Sequence, residues 1–431
     1  MLNSRKGFTL VEMIVVMAVF VVVIMITADS FKTILTQMTK ITKSEESNIE
    51  GVVGLEMFRH DLQQAGYGLP FSYLSPISCI EAGYAPASNY NDCTGSTTSG
   101  VPRAVVAGDN LGAVAGATGD EATNIVFGTD YLALKGSTLG MNETAKRWTY
   151  MPYSSATTGK LKPRIWQTGN LIDGPSADAS RVIVLKKTYT SSGYSNQMIT
   201  SSDPSIYWAR YYADGFADPV FNPTLKEEVY YLYGIKADDP LGMPFNRTDY
   251  FVARPTTAGK IPSFCHANTG ILYKGAVVHA NSAAYAKLTY IPLLDCVADM
   301  QVIFGWDLDD GQGNEGQDGV IDTYSTPIGT GGAITVQSSA TPSASAMQTR
   351  VTDALGNPEK LRNSLKVVKV YLLAQVGRRD ANYQSPSSSI VLGDAATDGI
   401  TKTYTFTSDM RNYRWKIYRL VVRPKNLMSN Q

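Results

Sequence analysis

The sequence predicts an α+β protein in which one long N-terminal helix is joined to a large β-rich head. Residues from about 8 to about 65 have the pattern of a continuous helix, and the later segments have the pattern of short strands with turn-rich connections. A chain of 431 residues is long enough to bury a sizeable core. The formal net charge is zero, with 38 basic and 38 acidic side chains, so no nucleic-acid partner is expected.

The helix begins with an apolar run over residues 8–28. Only three of these 21 residues fall outside the hydrophobic set: Thr9, Glu12 and Thr27. At about 1.5 Å per residue, the run can cross the roughly 30 Å hydrocarbon core of a bilayer, whereas a secretory signal has a shorter apolar region of about 7–15 residues. Because Arg5 and Lys6 precede the run, we expect a transmembrane helix with a cytoplasmic N-terminus and an external head.

The predicted helix continues as an amphipathic segment over residues 29–66. No proline interrupts the chain before Pro70, and Gly66 and Gly68 are typical of a helix end. Apolar residues recur with a period close to 3.6, which predicts that this half packs a stripe of side chains on the head. The stripe consists of Phe31, Ile34, Leu35, Met38, Ile41, Ile49, Val52 and Val53.

Glu12 places a carboxylate inside the apolar run, where a charge costs at least about 2.5–3.5 kcal/mol. The string from Lys6 to Glu12, KGFTLVE, resembles the N-terminal signal of type IV prepilins and pseudopilins. The resemblance implies that residues 1–7 are a leader, that a prepilin peptidase cleaves between Gly7 and Phe8, and that Phe8 is then N-methylated. It also implies that Glu12 pairs with the terminal amine of a neighbouring subunit during assembly. The alternative is that Glu12 lies near the membrane interface and snorkels.

A second string, DLQQAGY over residues 61–67, resembles the end of the long helix in PilW-like minor pilins, although Gln63 replaces the usual arginine. Residues 296–305 and 413–427 resemble two strands of the same family. The resemblance implies a minor pilin that joins other major and minor pilins in the priming or tip complex of a type IV pilus. Its location would be the bacterial inner membrane, with the head in the periplasm, and later the pilus or cell surface. Two alternatives remain: a J-like minor pseudopilin of type II secretion, and a pilus-tip adhesin that binds through the tyrosine-rich segments 207–212 and 230–233.

Residues 67–431 are expected to form the head, with a loop-rich insert at about 70–290 and a C-terminal sheet at about 291–427. Segments 86–120 and 325–350 are rich in small and polar residues, which predicts exposed loops. The candidate strands lie at 124–134, 181–189, 227–236, 270–279, 287–292, 366–376, 400–407 and 413–422.

Four cysteines lie on the predicted external side, where disulfides persist: Cys79, Cys93, Cys265 and Cys296. Three connectivities are possible, and pairing of sequence neighbours has the lowest loop-closure cost. A zinc site is a weaker alternative, because the chain contains no C-x-x-C or C-x-x-H spacing.

The densest acidic cluster lies at residues 307–322, in which D-x-D and D-G-x-x-D look like two halves of a calcium loop separated by a glycine-rich insertion. Calcium binds six to eight oxygen ligands on a flexible loop, so calcium is a possible cofactor. The alternative is a solvated acidic turn. The candidate ligands are Asp307, Asp309, Asp318 and Asp322.

No enzyme is predicted. The chain contains no G-x-S-x-G, H-E-x-x-H, Walker A or S-x-x-K motif. Only His60, His266 and His279 could serve as bases near neutral pH.

Overall fold

The computed structural model describes residues 9–97, 100–112, 114–154, 163–164, 179–190, 193–212, 214–238, 240–340 and 342–427. Its helices are α1 (Leu10–Gln64), α2 (Asp120–Thr123), α3 (Ala344–Gly356) and α4 (Pro358–Ser364). Short 3₁₀ turns lie at Ala87–Tyr90, Ser137–Leu139, Thr144–Lys146, Pro219–Phe221, Ala283–Tyr285, Thr330–Gly332 and Met410–Asn412.

Eighteen strands follow α1 in the described part of the chain. The first nine are β1 (Ser72–Tyr73), β2 (Val105–Asp109), β3 (Tyr131–Gly136), β4 (Trp148–Pro152), β5 (Arg181–Thr190), β6 (Gly193–Met198), β7 (Ala209–Arg210), β8 (Val229–Lys236) and β9 (Asn246–Ala253). The other nine are β10 (Gly270–Val277), β11 (Leu288–Trp306), β12 (Thr323–Ser325), β13 (Ile328–Gly329), β14 (Val336–Ser338), β15 (Leu365–Val376), β16 (Ser389–Gly393), β17 (Thr401–Thr405) and β18 (Arg414–Val422). The expected α+β architecture, a long helix followed by a β-rich head, is confirmed.

The largest sheet has ten described strands in the order β13-β2-β3-β9-β10-β11-β12-β14, with β15 paired to β11 and β18 paired to β15. Strand β11 organises it, because its first half pairs with β10 and its second half pairs with β15. The sheet therefore crosses the boundary expected near residue 290, since β2, β3, β9 and β10 come from the earlier part of the chain.

A second sheet has six described strands in the order β1-β6-β5-β8-β4, with β7 added to β5. Its strands alternate between two apolar clusters, as the two-residue period of a strand requires. Ile183 and Leu185 join the main core, whereas Val182 and Val184 join a separate cluster with Phe216 and other residues. Strands β16 and β17 form a two-stranded ribbon of their own.

Helix α1 contacts the head only at its C-terminal end, among the residues whose side chains are described. Leu55, Phe58, Leu62 and Ala65 are buried in the main core. Two glycines bring the helix backbone against β11: a Cβ atom at Gly54 would lie 2.2 Å from the carbonyl oxygen of Leu293, and one at Gly51 would lie 2.7 Å from Leu294.

The predicted packing of the amphipathic stripe on the head is wrong for the residues whose side chains are described. Phe31 and Met38 are 61% and 62% exposed, and Ile34, Leu35, Val52 and Val53 are also exposed. The helical period identified which residues share a face, but among the side chains described on α1 the head buries a different face, which includes Gly51, Leu55 and Phe58 and leaves Val52 and Val53 exposed.

Two local predictions are corrected by the packing of the head. Segment 86–120 contains the mostly buried strand β2, and segment 325–350 contains β13, β14 and the first half of α3, where Met347 is fully buried. The strand predicted at 124–134 begins only at Tyr131, because α2 and a turn precede it.

Candidate functional site: the N-terminal helix and its junction with the head

The predicted cleavage and methylation residues, Gly7 and Phe8, lie outside the described residues. The description begins with Thr9, which is the N-cap of α1 and forms a capping box with Glu12. The Glu12 carboxylate accepts hydrogen bonds from the Thr9 backbone N–H at 2.9 Å and from the Thr9 hydroxyl at 2.8 Å. In a single chain, Glu12 therefore stabilises the start of its own helix.

The N-terminal half of α1 is apolar and bare. Within Leu10–Lys32, the most apolar window of 18 residues has a mean hydropathy of 2.9, and none of that window is buried in the head. This segment of 23 residues is about 35 Å long, which is enough to cross a bilayer. An exposed apolar surface of this extent indicates contact with a membrane or with other apolar helices.

A buried charged pair fixes the other end of α1 to the head. The Asp61 carboxylate accepts a hydrogen bond from the Tyr250 hydroxyl at 2.6 Å and contacts the Lys274 ammonium at 2.5 Å. The Tyr250 ring stacks on Phe58, with centroids 3.9 Å apart and planes 11° from parallel. Burial, with Asp61 beside it, raises the pKa of Tyr250, so this hydroxyl stays protonated and donates.

The chain's C-terminal segment closes the junction. The backbone N–H of Lys425 donates to the Gln63 carbonyl at 3.2 Å, and the Asn426 amide donates to the Gln64 carbonyl at 3.3 Å. These contacts satisfy carbonyls that a helix end leaves without partners. Gly66 follows in the left-handed region with φ of 85°, and a Cβ atom there would lie 2.8 Å from Leu427. Segments 61–67 and 413–427, each of which resembles PilW-like minor pilins in sequence, are therefore in contact with each other.

Some partners of the junction were not predicted from sequence. Lys274 lies 213 residues after Asp61, and no local pattern connects the two. The close packing at Gly51 and Gly54 could have been recognised from the sequence, because two small residues three positions apart share a helix face and permit close packing.

The structure joins Cys79 to Cys93 and Cys265 to Cys296, and no cysteine among the described residues is free. Beside the first disulfide, the Glu81 carboxylate accepts the Cys93 backbone N–H at 2.6 Å. Burial opposes ionisation of Glu81, but Lys135 and Arg247 outweigh it and lower its pKa to about 2. The second disulfide attaches the loop at Cys265 to strand β11.

The acidic segment 307–322 uses its carboxylates to organise its own loop. Asp307 accepts the backbone N–H groups of Asp318 and Gly319 at 3.1 and 3.0 Å, and Asp322 accepts those of Leu308 and Asp309 at 2.8 and 2.9 Å. Burial raises the pKa of Asp307, although these N–H groups and Lys366 act against it.

The predicted calcium ligands are not brought together. Asp318 is exposed and binds the N–H of Val320, whereas Asp309 contacts Arg350 at 3.5 Å. Within the described ranges, no three His, Cys, Asp or Glu side chains are arranged to hold a metal ion. The geometry gives the calcium prediction no support.

The tyrosine-rich segments proposed for adhesion mostly contribute to the core. Tyr207, Tyr211 and Tyr230 are buried, and the Tyr207 hydroxyl donates to the Leu241 carbonyl at 2.7 Å. Buried rings of this kind are not available to stack on a glycan.

The three histidines have separate surroundings. His60 is exposed on α1. His266 lies 3.3 Å from Asp409, and burial lowers its pKa although Asp409 opposes this. Burial also lowers the pKa of His279, to about 3.

A family model described as the prokaryotic N-terminal methylation motif matches residues 2–28. No curated protein and no solved structure matches the chain. The match covers the signal and most of the bare apolar segment, and it supports a type IV pilin-like or pseudopilin-like protein, which is a structural role rather than an enzymatic one. It implies processing by a prepilin peptidase and assembly with other pilins in a membrane-associated machinery.

Proposed function

We propose that this protein is a minor pilin, a structural subunit that a type IV pilus incorporates through its N-terminal helix in the priming or tip complex. The observation that carries the proposal is the methylation motif on an apolar helix that the head leaves uncovered. The helix anchors the precursor in the inner membrane with the head in the periplasm. After assembly the head lies at the pilus or cell surface.

Processing between Gly7 and Phe8 makes Phe8 the first residue and gives it a methylated amine. Glu12 then lies four residues further along, inside the apolar segment. In the single chain its carboxylate is held by Thr9. Assembly exchanges part of this local contact for an ion pair with the amine of a neighbouring subunit, which compensates two charges that would be costly alone in an apolar surrounding.

A substitution at Glu12 tests this pairing. Glu12→Ala should leave a processed, membrane-bound protein, while its recovery in sheared pili falls roughly tenfold or more, the effect of losing about 1.4 kcal/mol of assembly energy. Glu56→Ala is the matched control, because Glu56 is exposed on the same helix. Normal recovery of Glu12→Ala in sheared pili contradicts the pairing.

Two further measurements test the class and the machinery. Mass spectrometry of the mature protein should find methylated Phe8, and an intact Met1 in cells with an active peptidase contradicts the assignment. Deletion of the gene should abolish surface pili and leave protein secretion unchanged. Loss of secretion with normal pili would instead indicate the J-like pseudopilin of a type II secretion system.

A further inference from the structure

Three polar side chains meet where the ribbon of β16 and β17 lies against the main sheet. Lys402 is on β17, Asn110 directly follows β2, and Asp299 is on β11. The Lys402 Nζ lies 2.8 Å from Oδ1 of Asn110 and 2.9 Å from Oδ2 of Asp299. Because 292 residues separate Lys402 from Asn110 in the chain, only the folded head brings an amine, a carboxamide and a carboxylate together.

The packing of the ribbon fixes the position of Lys402. Leu392 of β16 and Ile400, which directly precedes β17, are buried in one apolar cluster with Ile303 of β11. The backbone carbonyl of Gly128 also accepts a hydrogen bond from the Lys402 Nζ. The nitrogen is therefore held by oxygen atoms of three different chain segments.

The backbone around Asn110 is fixed as well. Its φ of 48° lies in the left-handed region, which asparagine tolerates better than most residues. Its N–H donates to Oδ1 of the buried Asp130 at 2.9 Å, and the Asn110 side chain hydrogen-bonds the carboxyl group of Asp109. Two reacting groups that the fold already holds together avoid the entropic cost of a chance encounter.

Asp299 is placed to accept a proton from Lys402. The residue is 1% exposed, and burial raises the pKa of its carboxyl group, although Lys402 and Gln301 act against this rise. A carboxylate with a raised pKa takes a proton from a neighbouring ammonium more readily, and the neutral amine that results is a nucleophile. Burial also raises the pKa of Asp109, which contacts the carboxamide.

Other buried lysines contact a different chemical group. Lys274 contacts Asp61, and Lys369 contacts Asp398. These partners are carboxylates, and an anionic carboxylate resists attack by an amine. The neighbour of Lys402 is instead a neutral carboxamide, whose carbonyl carbon can accept an amine, and a separate carboxylate is present to take the proton. A nucleophile, a carbonyl group and a proton acceptor in mutual contact are the parts that acyl transfer needs.

We propose that Lys402 and Asn110 form an intramolecular amide bond, with Asp299 as the proton acceptor. The Lys402 ammonium gives one proton to Asp299, and the resulting amine adds to Cγ of Asn110. A second proton passes from the attacking nitrogen through the Asp109 carboxyl group to Nδ2 of Asn110, and the bond between Cγ and Nδ2 breaks.

The reaction needs no other reactant. The released ammonia takes the proton from Asp299 and leaves as ammonium, so one ammonium side chain and one carboxamide become one amide and one ammonium ion. Because Asn110 is exposed, the ammonium ion can leave directly into solvent. The product joins the ribbon covalently to the loop that follows β2.

Mass spectrometry of the purified full chain in detergent, with its disulfides reduced, tests the bond. We expect an intact mass lower by one ammonia molecule than the sequence gives, and a tryptic digest in which the peptides containing Asn110 and Lys402 are joined. Full mass with a linear peptide that ends at Lys402 overturns the proposal. A mass lower by one ammonia molecule without the joined peptides also overturns it.

Variants at the two bonded residues locate the chemistry. Lys402→Arg keeps the positive charge but cannot form this amide, and Asn110→Ala removes the carboxamide, so both should show the full mass. Lys416→Arg is the matched control, because Lys416 is exposed on β18, and it should retain the bond. Joined peptides in Asn110→Ala overturn the assignment.

A variant of the acid tests the proton transfer. Asp299→Asn should slow formation of the bond about a hundredfold or more, so freshly purified protein should be mostly unlinked. Asp238→Asn is its control, since the Asp238 side chain is 66% exposed. A fully linked Asp299→Asn protein overturns the role given to Asp299.

Both disulfides and a cooperative thermal transition should be present in each variant, which shows that it is folded. The wild-type mass decides the proposal even if a variant fails to fold. The bond is a property of the folded head, so its absence is distinct from failure of the proposed pilus assembly.

Discussion

The two ends of α1 contain the same kinds of apolar residue in opposite surroundings. Phe20 is 61% exposed, whereas Phe58 on the same helix is fully buried and stacks on Tyr250. At the C-terminal end of α1, the head end, the chain's own core covers the apolar side chains. At the N-terminal end of α1, the membrane end, the segment Leu10–Lys32 exposes apolar side chains. An exposed apolar surface of this extent indicates contact with a membrane or with other apolar helices.

This difference separates folding from assembly along one helix. Substitutions at the head end should change the stability of the head, because they alter a packed core. Substitutions at the membrane end should leave that stability unchanged and act on membrane insertion or filament contacts.

The largest effect is expected for Phe58→Ala, which should lower the free energy of unfolding by about 3–5 kcal/mol, because it removes a fully buried aromatic ring. Phe20→Ala is the matched variant and should change it by less than about 0.5 kcal/mol. Both are measured by denaturant unfolding of the full chain in detergent, followed by tryptophan fluorescence. Equal losses for the two variants would show that the two ends of α1 do not differ in this way.

Asp61→Asn should lower the free energy of unfolding by about 3 kcal/mol, because it leaves the buried Lys274 ammonium without its carboxylate. Glu56→Gln, at an exposed position one turn earlier, is the control. The double variant Asp61→Asn with Lys274→Met should recover part of the loss, since it removes the uncompensated charge. If the losses of the single variants simply add, the two side chains are not coupled.

A fall in pH should lower the stability of the head through His279, whose imidazole lies 3.0 Å from the Asn246 side-chain oxygen. Burial lowers the pKa of His279 to about 3, while the unfolded chain has a value near 6.5, so the unfolded state binds the proton first as pH falls. Stability attributable to His279 is therefore complete above about pH 6.5 and declines toward pH 3.

Between pH 7 and pH 5, this decline amounts to about 2 kcal/mol. His279→Gln should remove that part of the pH dependence, which is measured as the shift in denaturant midpoint between the two pH values. His60→Gln, exposed on α1, is the control. A wild-type pH dependence in His279→Gln contradicts this assignment.

The helix was predictable because its signals are local. The apolar run at 8–28, the absence of proline before Pro70 and the glycines at 66 and 68 all act within a few residues, and α1 ends at Gln64 as they predict. The alternation at 366–376 and 413–422 likewise predicted β15 and β18.

Features that depend on distant contacts were not predictable. The small residues of β2 are typical of a loop, and only their pairing with β3 makes them a strand. The stripe beginning at Phe31 has the spacing of a core face, but its described side chains are exposed. The carboxylates of 307–322 suit calcium by composition, but their N–H partners are fixed only by the folded loop. At the candidate site, the capping contact of Glu12 could be predicted from sequence because Thr9 is three residues away. The contact of Lys274 with Asp61 could not, because the two residues are far apart in the chain.

The smallest effect is expected for Asn426→Ala, which removes the side-chain amide that donates to the carbonyls of Gln63 and Gln64. These contacts are long, at 3.5 and 3.3 Å, so the loss of stability should be about 0.5–1 kcal/mol. Asn382→Ala, at an exposed position, should have no measurable effect.

Hydrogen exchange tells where the Asn426 effect acts. Exchange in Asn426→Ala should increase at the last turn of α1 and around Gly66, because the freed carbonyls loosen this end of the helix, while exchange at residues 10–32 stays as in wild type. Faster exchange along the whole of α1 would mean that the membrane end depends on the junction. The two ends would then be one cooperative unit, and folding and assembly could not be separated by substitution.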